Sequence, residues 1–334
     1  MSDQHFSSIV LLLRASGIST TVKETDLPSV HSYVLTPNPT TDDLLKRAGV
    51  PPIRAQQPIL TLIEDSYLAT VDELRNIASR LGPADGYQNW ETPFADSPGW
   101  PKYVSTMASV RREDKATYPL DTILYLNTGS AWNRNHFTLL RPRNPTDEKH
   151  RLTEAYRQMV RIVAGHLKYI PQLSIYYRAT TPAHPNCAAR STPYPSPEFA
   201  LSMEKDVLGK LLKLPMPDDV KEHRRKMDWD LFNVHNEVWK RAIVRLEKER
   251  EREEQDGEED VARWNYVDVW NQTLQRPDAH YNPAGDCFNC ESFRFCVFSV
   301  KRSSFPLGCP PTIFNEWTHH LHHVLSAQTS DEIV

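Results

Sequence analysis

The sequence predicts a mixed α/β fold: a central, mostly parallel sheet covered by helices and interrupted by long irregular insertions. Three observations point there. Thr122–Leu126 is a continuous apolar run followed by turn residues, the pattern of a strand buried on both faces in a parallel sheet. A long amphipathic stretch and a second apolar run come next, so strand, helix and strand alternate as a crossover unit requires. Glycine is scarce at 11 and proline common at 26, and the prolines gather in stiff connections such as residues 36–39 and 191–197.

Taken in order, residues 5–16 read as a helix stopped by Gly17. Residues 32–35 and 58–63 are short β-like runs, and residues 70–81 are amphipathic and helical. Residues 82–119, rich in Pro, Gly, Asp and Trp, read as an irregular insertion. Helix returns over residues 147–169, where Leu152, Tyr156, Met159, Val160, Val163 and Leu167 share one face. Pro171 ends it, and residues 174–178 form the next strand. Residues 203–254 are mostly helical with a break at Pro215 and Pro217. A charged helix tip and loop at 240–260 comes after it, read either as a solvated surface or as a partner site. Residues 264–270 read as a last strand and residues 312–325 as a closing helix. No internal repeat is visible, and residues 1–334 read as one domain.

A chain of 334 residues can bury a large core, and 39% hydrophobic with 25% charged residues is a globular composition. The formal net charge of -4 gives no basic imbalance, so no nucleic-acid partner is expected. No run is long and apolar enough to cross a membrane, and the N-terminus lacks a signal-peptide pattern. Read alone, these features describe a cytosolic protein. Of the five cysteines, Cys287, Cys290, Cys296 and Cys309 crowd together. Disulfides, a structural zinc site and chance proximity all stay open for them, the zinc reading making a small interaction protein built around these cysteines. His319, His322 and His323 share a helical face with Glu316, either as metal ligands or as a solvated histidine helix.

Two distant stretches concentrate the chemistry, residues 124–132 and 276–290, and they are expected to form one side of a cleft. Asn127-Thr128-Gly129 comes just past a presumed parallel strand, at the sheet edge where ligands bind in open α/β folds. An Asn amide there can donate to a developing oxyanion, and Gly129 permits close approach, although Asn and Gly also make plain turns. Arg178 and His184 come after the next strand, as substrate contacts or as loop braces. Asp286 and Asn289 have the spacing of an Asp-x-x-His pair, in which the acid orients the general base. Asn289 cannot accept a proton at neutral pH, and His280 is the nearest imidazole.

These stretches resemble the PC-esterase group of the GDSL/SGNH hydrolase fold, which includes the plant trichome-birefringence-like proteins. The family's Phe-Asn-Thr-Gly-His-Trp-Trp is matched by Leu126-Asn127-Thr128-Gly129-Ser130-Ala131-Trp132, and its Arg-Thr-x-Ser-Pro-x-His by Arg178-Ala179-Thr180-Thr181-Pro182-Ala183-His184. Its Arg-Pro-Asp-Gly-His is matched by Arg276-Pro277-Asp278-Ala279-His280, and its Asp-Cys-x-His-x-Cys in part by Asp286-Cys287-Phe288-Asn289-Cys290. Pro310-Pro311-Thr312-Ile313-Phe314-Asn315-Glu316-Trp317 resembles its closing Asp-Thr-Trp-Asn segment. The resemblance runs from about residue 120 to the end.

It implies a three-layer SGNH domain that hydrolyses or transfers acyl esters on carbohydrate hydroxyls, without a cofactor or metal, in the secretory pathway (Golgi, membrane or extracellular). The implied substrate is an acylated carbohydrate or glycoprotein, and Asn271-Gln272-Thr273 is a glycosylation sequon. Asn127 would serve the oxyanion hole and Asp286 would be the orienting acid. Arg178, His184, Asp278, His280 and Gly129 would line or brace the cleft. The chain departs from the family twice. It contains no Gly-Asp-Ser nucleophile motif, and Asn289 stands where the catalytic His belongs. Residues 1–9 resemble the segment just past the family's serine, so the chain is expected to begin immediately beyond the nucleophile, and residues 291–307 read as extra sequence. An impaired esterase and a non-catalytic carbohydrate-binding pseudoenzyme are both consistent with these departures.

Overall fold

The computed structural model of the protein describes residues 13, 17–23, 30–47, 56–81, 99–112, 122–137, 145–182, 184, 192–257 and 261–276, with side chains left undescribed at 109–112, 145–147, 207, 208 and 211. The chain divides into two compact units. One comprises Met1–Glu64, Cys187–Thr192 and Pro277–Val334, the other Asp65–Asn186 and Pro193–Arg276.

In the first unit, β1 (Thr20–Lys23), β2 (Val30–Leu35) and β3 (Pro58–Ile63) form an antiparallel sheet in the order β1-β2-β3. Val30 pairs with Ile63, and a register shift at Tyr33/Val34 lets Val34 face Pro58. Ser32 and Thr61 hydroxyls bond across the strands at 3.0 Å, and Leu62 packs under Tyr33 and Leu60. Between β2 and β3 lies α1 (Pro39–Arg47), in part of what reads as a stiff loop. Asn38 caps it: its Oδ1 accepts from the Thr41 amide at 2.9 Å, and Pro39 occupies the first helical position, where its missing N–H costs nothing.

The second unit holds α2 (Val71–Leu81), α3 (Trp100–Arg112), β4 (Thr122–Leu126), α4 (Pro145–Leu167) and β5 (Leu173–Arg178). It continues with α5 (Pro197–Leu211), α6 (Asp218–Lys226), α7 (Leu231–Gln255), β6 (Arg263–Val267) and α8 (Trp270–Leu274). The expected parallel sheet is here, as β4-β5-β6, with Thr122 opposite Leu173 and Ser174 opposite Arg263. It does not include the earlier strands, which pair only with one another among the described residues. Nor is β4 the strand buried on both faces. At the edge of this sheet among the described residues, it leaves Ile123 50% exposed, whereas every residue of the central β5 is buried. Residues 100–112, expected to be irregular, are helical because Trp100, Val104 and Ala108 fall one turn apart and are all buried.

α4 presents the face expected of it: Leu152, Tyr156, Met159, Val160, Val163 and Leu167 are all buried. α7 supplies the facing stripe of Leu231, Phe232, Trp239, Ile243 and Leu246. Its charged end is tied to Lys168, just past α4, whose Nζ lies 2.7 Å from Glu253 Oε1, and carries a pair within the helix, Arg250 Nη2 2.9 Å from Glu247. Among the described residues no helix is long and apolar enough to cross a membrane.

Candidate functional site

The turn after β4 is fixed from below by hydroxyl groups. The Thr128 carbonyl oxygen accepts from Tyr177 Oη at 2.7 Å, Thr180 Oγ1 at 2.7 Å and Tyr156 Oη at 3.1 Å. The two tyrosine oxygens lie 3.2 Å apart. A carbonyl has two lone pairs, so the two short bonds occupy it, and Tyr156 shares its proton between this oxygen and Tyr177. Burial pushes the Tyr177 phenol up to about 12 and the Tyr156 phenol well above its ordinary value, so both stay protonated as donors. Thr128 Oγ1 in turn donates to the Ser66 carbonyl at 2.8 Å.

Because the peptide is trans and planar, the Gly129 N–H points opposite to the Thr128 carbonyl, away from the hydroxyl cluster. Gly129 has φ +144°, and a Cβ there would overlap Thr180 Oγ1. Only glycine fits this backbone against its neighbour. Asn127 is partly exposed, and its Nδ2 donates to the Arg178 carbonyl at 2.9 Å. One amide hydrogen ties the β4 turn to the end of β5, and the second has no acceptor among the described residues.

The loop after β5 is held as tightly. Asn236 of α7 accepts from the Thr180 amide at 2.7 Å and donates to the Thr180 carbonyl at 2.9 Å. Beside it, His235 is fully buried and stacks on Tyr156 with ring centroids 4.0 Å apart and planes 12° apart. Neither His235 nitrogen meets hydrogen-bond geometry. Burial drives its pKa down to about 3, outweighing the favourable backbone of Gly129, so the ring is neutral. Trp132 packs onto the same cluster, stacked on Phe137 at 4.5 Å and edge-on to Tyr156 at 5.3 Å.

Further along the same loop the fixing is ionic. The Arg134 guanidinium meets the buried Asp228 carboxylate through Nε at 2.9 Å and Nη2 at 2.7 Å, and the Arg134 amide donates to Asp228 Oδ2 at 2.9 Å. Glu148 lies 3.2 Å from Nη1, and Nη2 also donates to the Arg225 carbonyl. Burial alone would lower the Arg134 pKa, but these carboxylates outweigh it and raise it. Asp228 takes a left-handed backbone, φ +49°, a conformation for which Asp and Asn are enriched.

Among the sequence-predicted residues, Asn127, Gly129 and Arg178 come together where β4 and β5 end. Arg178 is buried and lies within electrostatic reach of the Tyr125 and Tyr177 hydroxyls. His184 is fully buried, with Nδ1 2.9 Å from Glu204 Oε1 and Nε2 2.9 Å from the Thr273 carbonyl oxygen. Each ring nitrogen thus faces an oxygen within hydrogen-bond distance. That arrangement braces the loop against α8. Asp278, His280, Asp286 and Asn289 lie outside the described residues, as do all five cysteines and the histidines at 319–323. Sequence reasoning did not single out Thr180, Glu204, Asp228, His235 or Asn236, whose partners lie far along the chain. The Tyr156 and Tyr177 hydroxyls are hidden in sequence because each tyrosine sits in an apolar face. No family model, no curated protein and no solved structure matches the chain.

Proposed function

We propose that the chain is a PC-esterase-like domain of the SGNH type, a carbohydrate O-acyl esterase or O-acetyltransferase scaffold whose acyl-transfer chemistry is impaired. The observation that supports this reading is Asn127. Its amide sits past the end of a parallel strand and is oriented by the Arg178 carbonyl, with a second N–H left for a carbonyl oxygen that gains negative charge. The Gly129 N–H, turned away from the hydroxyl cluster, is a second candidate donor. Asp286 is then the orienting acid, His280 the nearest imidazole in the sequence, and Arg178, His184 and Asp278 shape the loops around the acyl sugar. The substrate is an acylated carbohydrate or glycoprotein met in the secretory pathway, and no metal or cofactor takes part.

A second reading, a non-catalytic carbohydrate-binding pseudoenzyme, is favoured by a sequence fact: Asn289 stands where the family's His is expected. Hydrolysis of an acetyl-ester reporter separates the two readings. The impaired-enzyme reading expects slow turnover that falls in Asp286→Ala and Asn127→Ala and rises in Asn289→His. Absence of turnover in every form, with retention on acetylated but not deacetylated polysaccharide, would establish the pseudoenzyme. Absence of both would remove the carbohydrate reading.

A further inference from the structure

α7 carries two apolar stripes. One faces the core, through Leu231, Phe232, Trp239, Ile243 and Leu246. The other, Val234, Val238 and Ala242, recurs every fourth residue along the flank of that face, with Val238 and Ala242 half-buried. Val234 is 41% exposed. With Val160 of α4 these residues line a groove of about 320 Å³ between α4 and α7. Arg157 and Arg161 of α4 and Arg241 and Arg245 of α7 also line it, and Glu237 is the one acidic lining residue. Compensation of the arginines is partial. Glu154 serves both Arg157 at 3.0 Å and Arg161 at 3.9 Å, and Arg245 reaches Glu249 at 3.6 Å. Arg241, exposed on α7, has no ion-pair partner among the described residues.

We propose that this groove docks an acidic amphipathic helix of a partner protein, with apolar side chains on the valine floor and carboxylates against the arginines. From Val234 to Ala242 the floor runs roughly 12 Å, two helical turns, the reach of anchors at i, i+4 and i+7. A groove between two helices suits a third helix by shape. The arginine planes pair with carboxylates in bidentate fashion, and a planar lipid surface would leave the recessed floor unfilled. The inference is independent of the carbohydrate reading, since the groove shares no residue with the Asn127 turn.

The test is fluorescence anisotropy of the full chain with a labelled peptide of about 18 residues, Leu at i, i+4 and i+7 and Glu on the flanks. Saturable binding is expected, at least about tenfold tighter than for a scrambled peptide of the same composition. The double variant Arg161→Glu/Arg241→Glu should lose about tenfold in affinity, and Lys248→Glu, exposed on α7 outside the groove, should stay within about twofold. Val234→Asp tests the floor separately at an exposed position and should weaken binding without altering the circular dichroism spectrum. Equal affinity for the scrambled peptide, or full affinity in both groove variants, would overturn the proposal. So would binding to phosphatidylserine vesicles in place of the peptide.

Discussion

Two regions hold the loop after β4, and they use opposite chemistry. At Thr128 three neutral hydroxyls converge on one carbonyl. At Arg134, six residues on, a guanidinium is locked to the buried Asp228 carboxylate and to Glu148. The difference teaches how each end fails. A neutral hydrogen bond contributes about 1 kcal/mol net, and its loss can be absorbed by neighbouring donors. A buried ion pair contributes little over an apolar replacement of both partners, but losing one partner strands a charge at a cost of about 3–5 kcal/mol. The neutral end therefore sets fine geometry around Asn127, and the ionic end sets whether the loop stays attached at all.

The sharpest way to break the comparison is Asp228→Ala. It should lower stability by about 3–5 kcal/mol in urea unfolding, because Arg134 stays buried without its carboxylate. Arg134→Met combined with Asp228→Ala should cost clearly less than the sum of the two single changes. Additive losses would mean that the pair does not act as a unit. Next in size is Gly129→Ala. A side chain at φ +144° and the overlap with Thr180 should together cost up to about 3 kcal/mol, and Asn127 should lose its bond to Arg178 as the turn shifts. An unchanged melting temperature would show that the turn accommodates a Cβ.

His235 has a folded-state pKa of about 3, below the ordinary 6.5 of the unfolded chain. The unfolded state therefore binds the proton more readily, and the neutral ring's contribution is present above pH 6.5 and is lost as pH falls toward 3. Between pH 7 and 5 this group alone should remove about 2 kcal/mol of stability. His235→Phe, which keeps the stack on Tyr156, should flatten that acid-side slope. A slope equal to that of the unsubstituted chain would place the titration elsewhere.

Much of the parallel half of the fold was legible because its signals are local. The apolar face of α4 and the runs at β4 and β5 can be read within a few residues of one another. What was misread turned on single residues in context. Pro39 looks like loop punctuation until Asn38 caps the helix it begins, and Trp100, Val104 and Ala108 are hidden in a Pro- and Gly-rich stretch. The site split along the same line. Asn127 and Gly129 stand out beside a strand end, but Asn236 meets Thr180 across 56 residues and Asp228 meets Arg134 across 94. Nothing in local spacing announces such pairs. His235 and Asn236 sit in a helix whose most visible feature is its charged far end.

The smallest expected effect tests the neutral end most directly. If Tyr177 and Thr180 fill the two lone pairs of the Thr128 carbonyl, the Tyr156 hydroxyl is the surplus donor. Tyr156→Phe should then cost less than about 1 kcal/mol, since Tyr177 keeps its own bond and the ring keeps its stack on His235. Tyr177→Phe should cost more, because only Tyr156, at 3.1 Å, remains to replace a 2.7 Å bond. Thr180→Val should match Tyr177→Phe, since it removes an equally short bond while preserving shape. Urea midpoints for the three variants give the ranking. If Tyr156→Phe is the most costly, the carbonyl is held chiefly by the longer bond, and the turn is organised from α4 and not from the β5 end.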